Sequence, residues 1–487
     1  MKKGCCQFPS EKAIIIGGGL AGFAAAHTIA QAGGRALLLD KSPYTGGNSV
    51  KASSGINGAN TRSQTALNIK DSSEGFIDDT LNSGSRKPCM ARVLAEDSAA
   101  SLHWLMDKYD VDFSFVSQLG GHSVARTHRG ADRLPGRTIT HALMDNLPED
   151  GRIHVVNNAR VVRIIKNDCG CVVGCEWVDS KSSEPTSLHE EHGPVIVASG
   201  GFGASAKNPG SLLAKYRPDL LDLPTTNGPH CTGDGMVLAE NVGASLIDMD
   251  CVQVHPTGLV NTDDPHAYSK FLGAEALRGV GGILINGKGK RFCNELGRRD
   301  YVSGEMRNQR DLPIRLVLNG KAYNELKWHC DQYVAMHVMK VYTNVAALAQ
   351  DMNVPASDLS ETVRDHDSVG QGVCEGRVQT DEFGKKFFHN IPTSLTEELH
   401  VAIVTPVVHY CMGGVEIDEN ACVLDTNGHI IPGLFAAGEV TGGVHGTNRL
   451  GGSSLLDALV FGRRAGMSCD KYMFGTSDEF RPLPKLD

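Results

Sequence analysis

The stretch KAIIIGGGLAGFAAAHTIAQAGGRALLLD, residues 12–40, decides the fold. KAIII is a short β-branched run and reads as a buried strand. GGGLAG is a turn, the small residues through about Gln31 form a helix, and RALLLD is a second buried strand. Within the turn, Gly17, Gly19 and Gly22 make G-x-G-x-x-G. The first glycine allows the tight turn, the second lets the backbone approach a pyrophosphate, and the third packs helix on strand. Free N–H groups and the dipole at the helix start favour an anion there. Asp40, ending the second strand, is placed to accept from a ribose 2′-OH. Strand, turn, helix and strand-end acid together predict an α/β, Rossmann-like dinucleotide-binding unit.

Further glycine-rich loops identify the dinucleotide. GGNSVKASSGING (46–58) follows directly, and ASGGFG (198–203), TGDG (232–235) and AAGEVTGG (436–443) come later. A nicotinamide site usually needs only the first loop, whereas a flavin held along its length needs several. FAD is therefore expected. Its contacts are assigned to Gly17, Gly19, Leu20, Ala21, Gly22, Asp40, Lys41, Asn48, Ser49, Ser53, Ser54, Gly55, Ile56, Asn57, Gly200, Asp234, Glu439, Ser454 and Leu455.

The chain has 487 residues, enough for two large domains or about three ordinary ones, and 41% of them are hydrophobic. A net charge of −9 with mixed signs and no basic block argues against nucleic acid or a membrane surface as the main partner. Fourteen cysteines are scattered without a C-x-x-C, so no metal site is expected. They read as free, mostly buried thiols of a reduced, intracellular protein. No apolar stretch is long enough to span a bilayer. MKKGCCQFPSEK (1–12) is a poor transit peptide and PKLD (484–487) is not a targeting signal. The expected location is cytoplasmic, with a mitochondrion or another organelle as the alternative.

Along the rest of the chain, residues 88–109 predict one amphipathic helix with proline in its first turn. RIHVVNNARVVRIIKN and CVVGCEWV predict a small antiparallel meander, and PVIVASGG another strand. Composition turns more polar after about residue 250, with helices such as KAYNELKWHCDQYVAM, and the strand-and-glycine style returns from 400. The plan is an FAD-binding domain built from 1–248 and 399–487, interrupted by an inserted α+β capping domain at 249–398.

SQLGGHSVARTHR (117–129), PTTNG (224–228) and NRLGGSSLL (448–456), with the glycine loops, resemble the fumarate reductase/succinate dehydrogenase flavoprotein superfamily, most closely its soluble eukaryotic fumarate reductases. The likeness runs from about 12 to 468. It implies reduction of fumarate to succinate at an active site between the two domains. By the same resemblance, His255 in QVHPTG and His409 in VVHYCMGG donate to a substrate carboxylate, and Arg449 grips one bidentately. Glu275 and Arg278, three apart in FLGAEALRGVGG, read by themselves as an exposed ion pair. The resemblance makes them a proton relay to Arg299 in NELGRRD, with Arg298 as the fallback. Arginine holds its proton at ordinary pH. A carbanion beside a carboxylate is nonetheless a far stronger base than neutral arginine, so hydride addition to the alkene makes the proton transfer run downhill.

Membrane-bound relatives attach FAD covalently through a histidine after the second strand. GGNS offers Asn48 instead, so non-covalent FAD is expected. Cys411 replaces the threonine of HYTMGG, and Ala274 stands where some relatives carry threonine. HEEH (189–192) has the wrong spacing for a metal motif and reads as a solvated turn. His122, Arg126 and His128 are expected near the flavin. Alternatives within the same chemistry are a reductase of another enoate such as urocanate, or the flavoprotein subunit of an electron-transfer complex. Reduced free flavin or a partner reductase is the expected electron donor.

Overall fold

Six strands drawn from both ends of the chain lie side by side in one sheet. Their order is Cys422–Leu424, Ile430–Ala436, Val195–Val197, Lys12–Ile16, Arg35–Asp40 and Ile153–Asn157. All neighbours are parallel except the first pair. The computed structural model describes residues 12–131, 133–181, 187–204 and 208–475, so most of MKKGCCQFPSEK and all of PKLD lie outside the described residues. Ala13–Ile15 and Leu38 are fully buried because helices cover this sheet, as a parallel sheet requires.

The first helix, Leu20–Ala32, packs against the last, Ser453–Phe474. Gly462 and Gly466, four apart on one face, make the approach possible. A Cβ at Gly462 would stand 2.6 Å from Ala21 O, and one at Gly466 2.8 Å from Ala25 O. Gly462→Leu is therefore expected to destabilise the protein by about 3 kcal/mol through overpacking. Thermal denaturation checks this, and an unchanged Tm would mean the helices do not depend on that contact.

The second sheet runs Phe271–Leu272, Val252–Leu259, Leu399–Cys411, Ile314–Leu318, Ile283–Ile285, all antiparallel. Its two sides carry separate apolar clusters, one around Leu277, Leu316 and Cys330 and another around Ile285, Leu348 and Leu359. The long strand Leu399–Cys411 begins where the capping domain was expected to end. All of its ladder partners belong to the middle segment.

Several local expectations are corrected. The helix expected over 88–109 is two, Pro88–Glu96 and Ser98–Tyr109. They meet at buried Asp97, whose carboxylate accepts from Arg464 Nε of the last helix at 2.6 Å. RIHVVNNARVVRIIKN is two strands that serve different sheets, separated by Asn158 at φ 58°. Ile153–Asn157 extends the large parallel sheet, and Ala159–Lys166 begins the meander. HEEH is no turn but the third strand of that meander, with His189 stacked on Trp177 at 4.1 Å between ring centres. KAYNELKWHCDQYVAM divides into Gly320–Glu325 and Lys327–Ala335. Cysteines 175, 231, 411 and 469 are free and buried, whereas Cys169 is disulfide-bonded. Among the described residues no helix is long and apolar enough to cross a membrane.

Candidate active site

A cavity of about 820 Å³ runs from the first glycine turn to the second sheet. Gly17, Gly19, Leu20 and Ala21 line one end, where the first helix starts. Asp40, Lys41, Asn48, Ser49, Ser53, Ser54 and Gly55 continue the wall, and Gly200, Asp234, Glu439, Ser454 and Leu455 close it from the far side. Gly22, Ile56 and Asn57 are not on this wall. Gly22 packs beneath it, since a Cβ there would stand 2.1 Å from Gly17 O. Asn57 ties the 451–453 turn in place, donating to Gly451 O at 2.7 Å and Ser453 Oγ at 2.9 Å.

The wall suits a long polar cofactor. Ser53 Oγ, Ser199 Oγ and His230 Nε2 line it, and each is buried without a hydrogen-bond partner. A buried polar atom left so costs free energy until a ligand satisfies it. Gly200, at φ +75° with open space where a Cβ would be, leaves room for close approach of a ligand to the backbone. Burial raises the Glu439 carboxyl to about 7, against the pull of the Cys411 N–H and Arg449. Asp40 accepts from Gly18 N and Ser42 N, both at 2.8 Å, which fixes its carboxylate at the cavity edge.

At the other end the three expected substrate residues meet. The rings of His255 and His409 are 5.0 Å apart, and Arg449 shares the wall with them. Thr257 N donates to His255 Nδ1 at 3.1 Å, so a neutral ring carries its proton on Nε2. Thr226 Oγ1 lies 2.8 Å from His409 Nδ1. Burial, with Arg299 beside them, holds both imidazoles well below their ordinary value. Both are neutral N–H donors at neutral pH.

Arg299 also lines the cavity, while Glu275 and Arg278 stand behind it. Arg299 Nε and Nη2 both donate to Glu275 Oε2, at 2.7 and 2.5 Å. Arg278 Nη2 is 3.4 Å from Oε1 of the same carboxylate. Burial by itself would raise Glu275, but Arg299 and Arg278 outweigh it and hold the carboxyl at about 2. The pair is not at the surface: Glu275 is 2% exposed and Arg278 1%. The exposed-ion-pair reading is thus overturned, because the short turn carrying both residues folds under the glycine loop 119–121. Arg298, the fallback, is exposed and paired with Asp300.

Gln253 and Tyr333, which sequence reasoning missed, complete the site, and Ser54 and Cys411 make contacts there that the sequence did not foretell. Gln253 Oε1 accepts from Arg299 Nη1 at 2.7 Å and from Arg449 Nη2 at 3.1 Å, joining the two arginines. Its signal was its place two residues before His255, since alternate strand residues share a face. Ser54 Oγ accepts from Glu275 N at 3.1 Å and links the cavity wall to the turn that carries Glu275. Tyr333 Oη accepts from Ala274 N at 3.1 Å. Cys411 Sγ accepts from Phe202 N at 3.3 Å.

His122, Arg126 and His128 are corrected in the other direction, for none of them lines the cavity. Arg126 is fully buried and paired with Asp71 at 2.9 Å and Asp79 at 2.5 Å. His128 bonds Thr61 and Arg126 O, and His122 bonds Gly451 O. Their role is to fix the loop that carries them.

The FAD binding domain family matches residues 12–455. The chain is 43% identical to a fumarate reductase of Schizosaccharomyces pombe, over 95% of this chain and 90% of that protein. It is 41% identical to fumarate reductase 1 of Saccharomyces cerevisiae, over 93% and 97%. The open conformation of a flavocytochrome c3 fumarate reductase superposes with a TM-score of 0.73 at 34% identity, covering 96% of this chain and 79% of that one. With a long polar cavity, a buried arginine–glutamate cluster and likeness over nearly its whole length all in agreement, the chain belongs to the FAD-binding family of flavoproteins that includes these fumarate reductases.

Proposed function

We propose that this protein is an FAD-dependent fumarate reductase. The observation that carries the reading is the charge at the head of the cavity. Three buried arginines, 278, 299 and 449, surround one carboxylate, Glu275, and the two histidines are neutral. Counted over these side chains alone, the group is two charges positive, the complement of a dicarboxylate dianion. Burying such an excess costs free energy that a matching ligand offsets.

The division into 1–248 with 399–487 and an inserted 249–398 belongs to this reading, with the long strand passing between the two units. Glycine loops lined by Gly19, Asn48 and Ser454 would hold FAD, which, once reduced by the electron donor, would supply a hydride to one alkene carbon of fumarate. His255, His409 and Arg449 hold the carboxylates and keep the alkene fixed. Arg299, a permanent cation, stabilises the charge that develops beside the carboxylate and then gives its proton to the adjacent carbon. Hydride and proton together convert fumarate to succinate. Glu275 restores the proton to Arg299, and Arg278 in turn supplies Glu275.

Glu275→Gln keeps the shape and removes the relay base. We expect turnover to fall about 100-fold with FAD content unchanged, within the range for a lost proton-transfer group. Steady-state rates on protein of matched flavin content check this, and wild-type turnover would take Glu275 out of the relay.

FAD is held non-covalently in this reading. Asn48 is occupied with Asn227 at 2.7 Å and with Gly228 N at 3.0 Å. Acid precipitation is expected to leave the yellow colour in the supernatant, and a yellow pellet would refute the assignment. Electrons come from reduced free flavin or a partner reductase, and the protein works in the cytoplasm. The deciding experiment is anaerobic: reduce the yellow protein with dithionite, add fumarate and follow flavin absorbance. Rapid reoxidation with stoichiometric succinate supports the reading. A flavin that stays reduced refutes it.

A further inference from the structure

Arg449 is 2% exposed, yet its hydrogen bonds go only to neutral oxygens. Nη1 donates to Leu450 O at 3.0 Å, Nη2 to Gln253 Oε1 at 3.1 Å, and Nε has no partner. Glu275, the carboxylate of the site, is engaged by Arg299 and Arg278. Burial, and then Arg299, lower Arg449 to about 9. Something else must hold this guanidinium in place and keep it charged.

The group touching it is an aromatic ring. Arg449 Cζ stands 4.4 Å from the ring centre of Tyr410. Tyr410 Oη donates to Asp457 Oδ2 at 2.9 Å, and His445 Nε2 lies 3.3 Å from the same oxygen. The rings of Tyr410 and His445 meet edge-on at 5.8 Å. All three residues are at most 5% exposed. They come from three segments: the long strand Leu399–Cys411, the loop before Arg449, and the last helix Ser453–Phe474. Nothing in the relay from Arg278 to Arg299 uses them.

We propose that Asp457, acting through Tyr410, is a positioning residue for Arg449. A carboxylate accepting from the phenol pushes electron density into the ring, and a richer ring attracts a cation over its face more strongly. In a site closed to water that attraction is not screened. His445 Nε2, beside the same carboxylate oxygen, helps keep it aimed at the phenol. Asp457 Oδ1 has no partner, so the carboxylate has few competing bonds. The array gives Arg449 the support of a negative charge without placing a carboxylate where the substrate's own must bind. A direct ion pair would compete with substrate, whereas charge relayed through a ring does not.

The inference rests on the proposed function, and its test separates the two. Asp457→Asn, Tyr410→Phe and the combined variant are compared with wild-type holoenzyme. Fumarate KM and kcat are measured, together with succinate Kd from perturbation of the flavin spectrum. Each single variant is expected to retain FAD and to raise KM and Kd about tenfold, the size of a desolvated cation–π contact. kcat should change less than about threefold, because the proton relay is untouched. The combined variant should be no worse than either single one, because both cut the same chain of contacts. An FAD-loaded Asp457→Asn with wild-type KM and Kd overturns the proposal, as does a combined loss equal to the product of the single losses. If Asp457→Asn fails to hold FAD, Tyr410→Phe decides, since it removes one oxygen and keeps the ring: a raised KM supports the array and an unchanged KM ends it. Wild-type turnover tests the function itself. If the wild type does not turn fumarate over, the ratio of succinate Kd values still judges the array.

Discussion

Arg299→Ala is expected to give a folded, yellow protein that reduces fumarate about 10,000-fold more slowly than the wild type. Loss of a general acid accounts for a factor of about 100 to 10,000. Loss of a buried cation facing the developing charge adds to it. No neighbour can take over. His255 and His409 are held neutral by burial and by Arg299 itself, and in the proposed function Arg449 grips the substrate. Glu275 is not on the cavity wall and stands behind Arg299, to which it is bonded. The substitution also leaves Glu275 buried with Arg278 alone, and breaking a buried ion pair costs about 3–5 kcal/mol. Tm should therefore fall, so FAD content and succinate-induced changes in the flavin spectrum must be measured beside the rate. Stopped-flow reoxidation of the reduced flavin by fumarate is the direct measurement. A variant that keeps its flavin and turns over near the wild-type rate would mean that another group donates the proton.

Gly22→Val is expected to abolish FAD binding. The Cβ would stand 2.1 Å from Gly17 O and 3.3 Å from Ile15 Cγ2. Gly17 O is backbone and cannot swing aside, and Ile15 Cγ2 belongs to a β-branched side chain that is stiff at χ1. The first helix must lift from the sheet, and Gly19, Leu20 and Ala21, which line the cavity, move with it. An overpacking cost of at least about 3 kcal/mol, falling on the bound state, reduces FAD affinity at least about 100-fold. The ratio of flavin to protein absorbance after desalting measures it. A normal ratio would show that the helix has room the geometry denies.

These two predictions draw on different kinds of information. Gly22 was legible at once, because its demand is local: within a few residues the chain must turn, approach itself and start a helix, and only glycine permits each step. The two-ended sheet was legible for the same reason, since its strands and turns write their own punctuation. The relay was not legible in that way. Glu275 and Arg278 at helical spacing describe a solvated pair as well as a buried one, and only family resemblance favoured the second. His122, Arg126 and His128 stood in a motif-like run and proved to be loop supports, Arg126 paired with Asp71 and Asp79, His128 with Thr61 and His122 with Gly451 O.

The sequence by itself determined the cofactor fold and its glycine loops, while the charged residues of the site came from family resemblance. Tertiary structure alone decided that Gln253 bridges two arginines, that Ser54 holds the relay turn, and that Asp457 reaches Arg449 through a tyrosine ring. It also decided that residues 88–109 break at Asp97 to meet Arg464. The reason is physical. Backbone conformation is set by near neighbours and leaves a local trace. Burial and charge compensation depend on partners tens to hundreds of residues away, which no local pattern records.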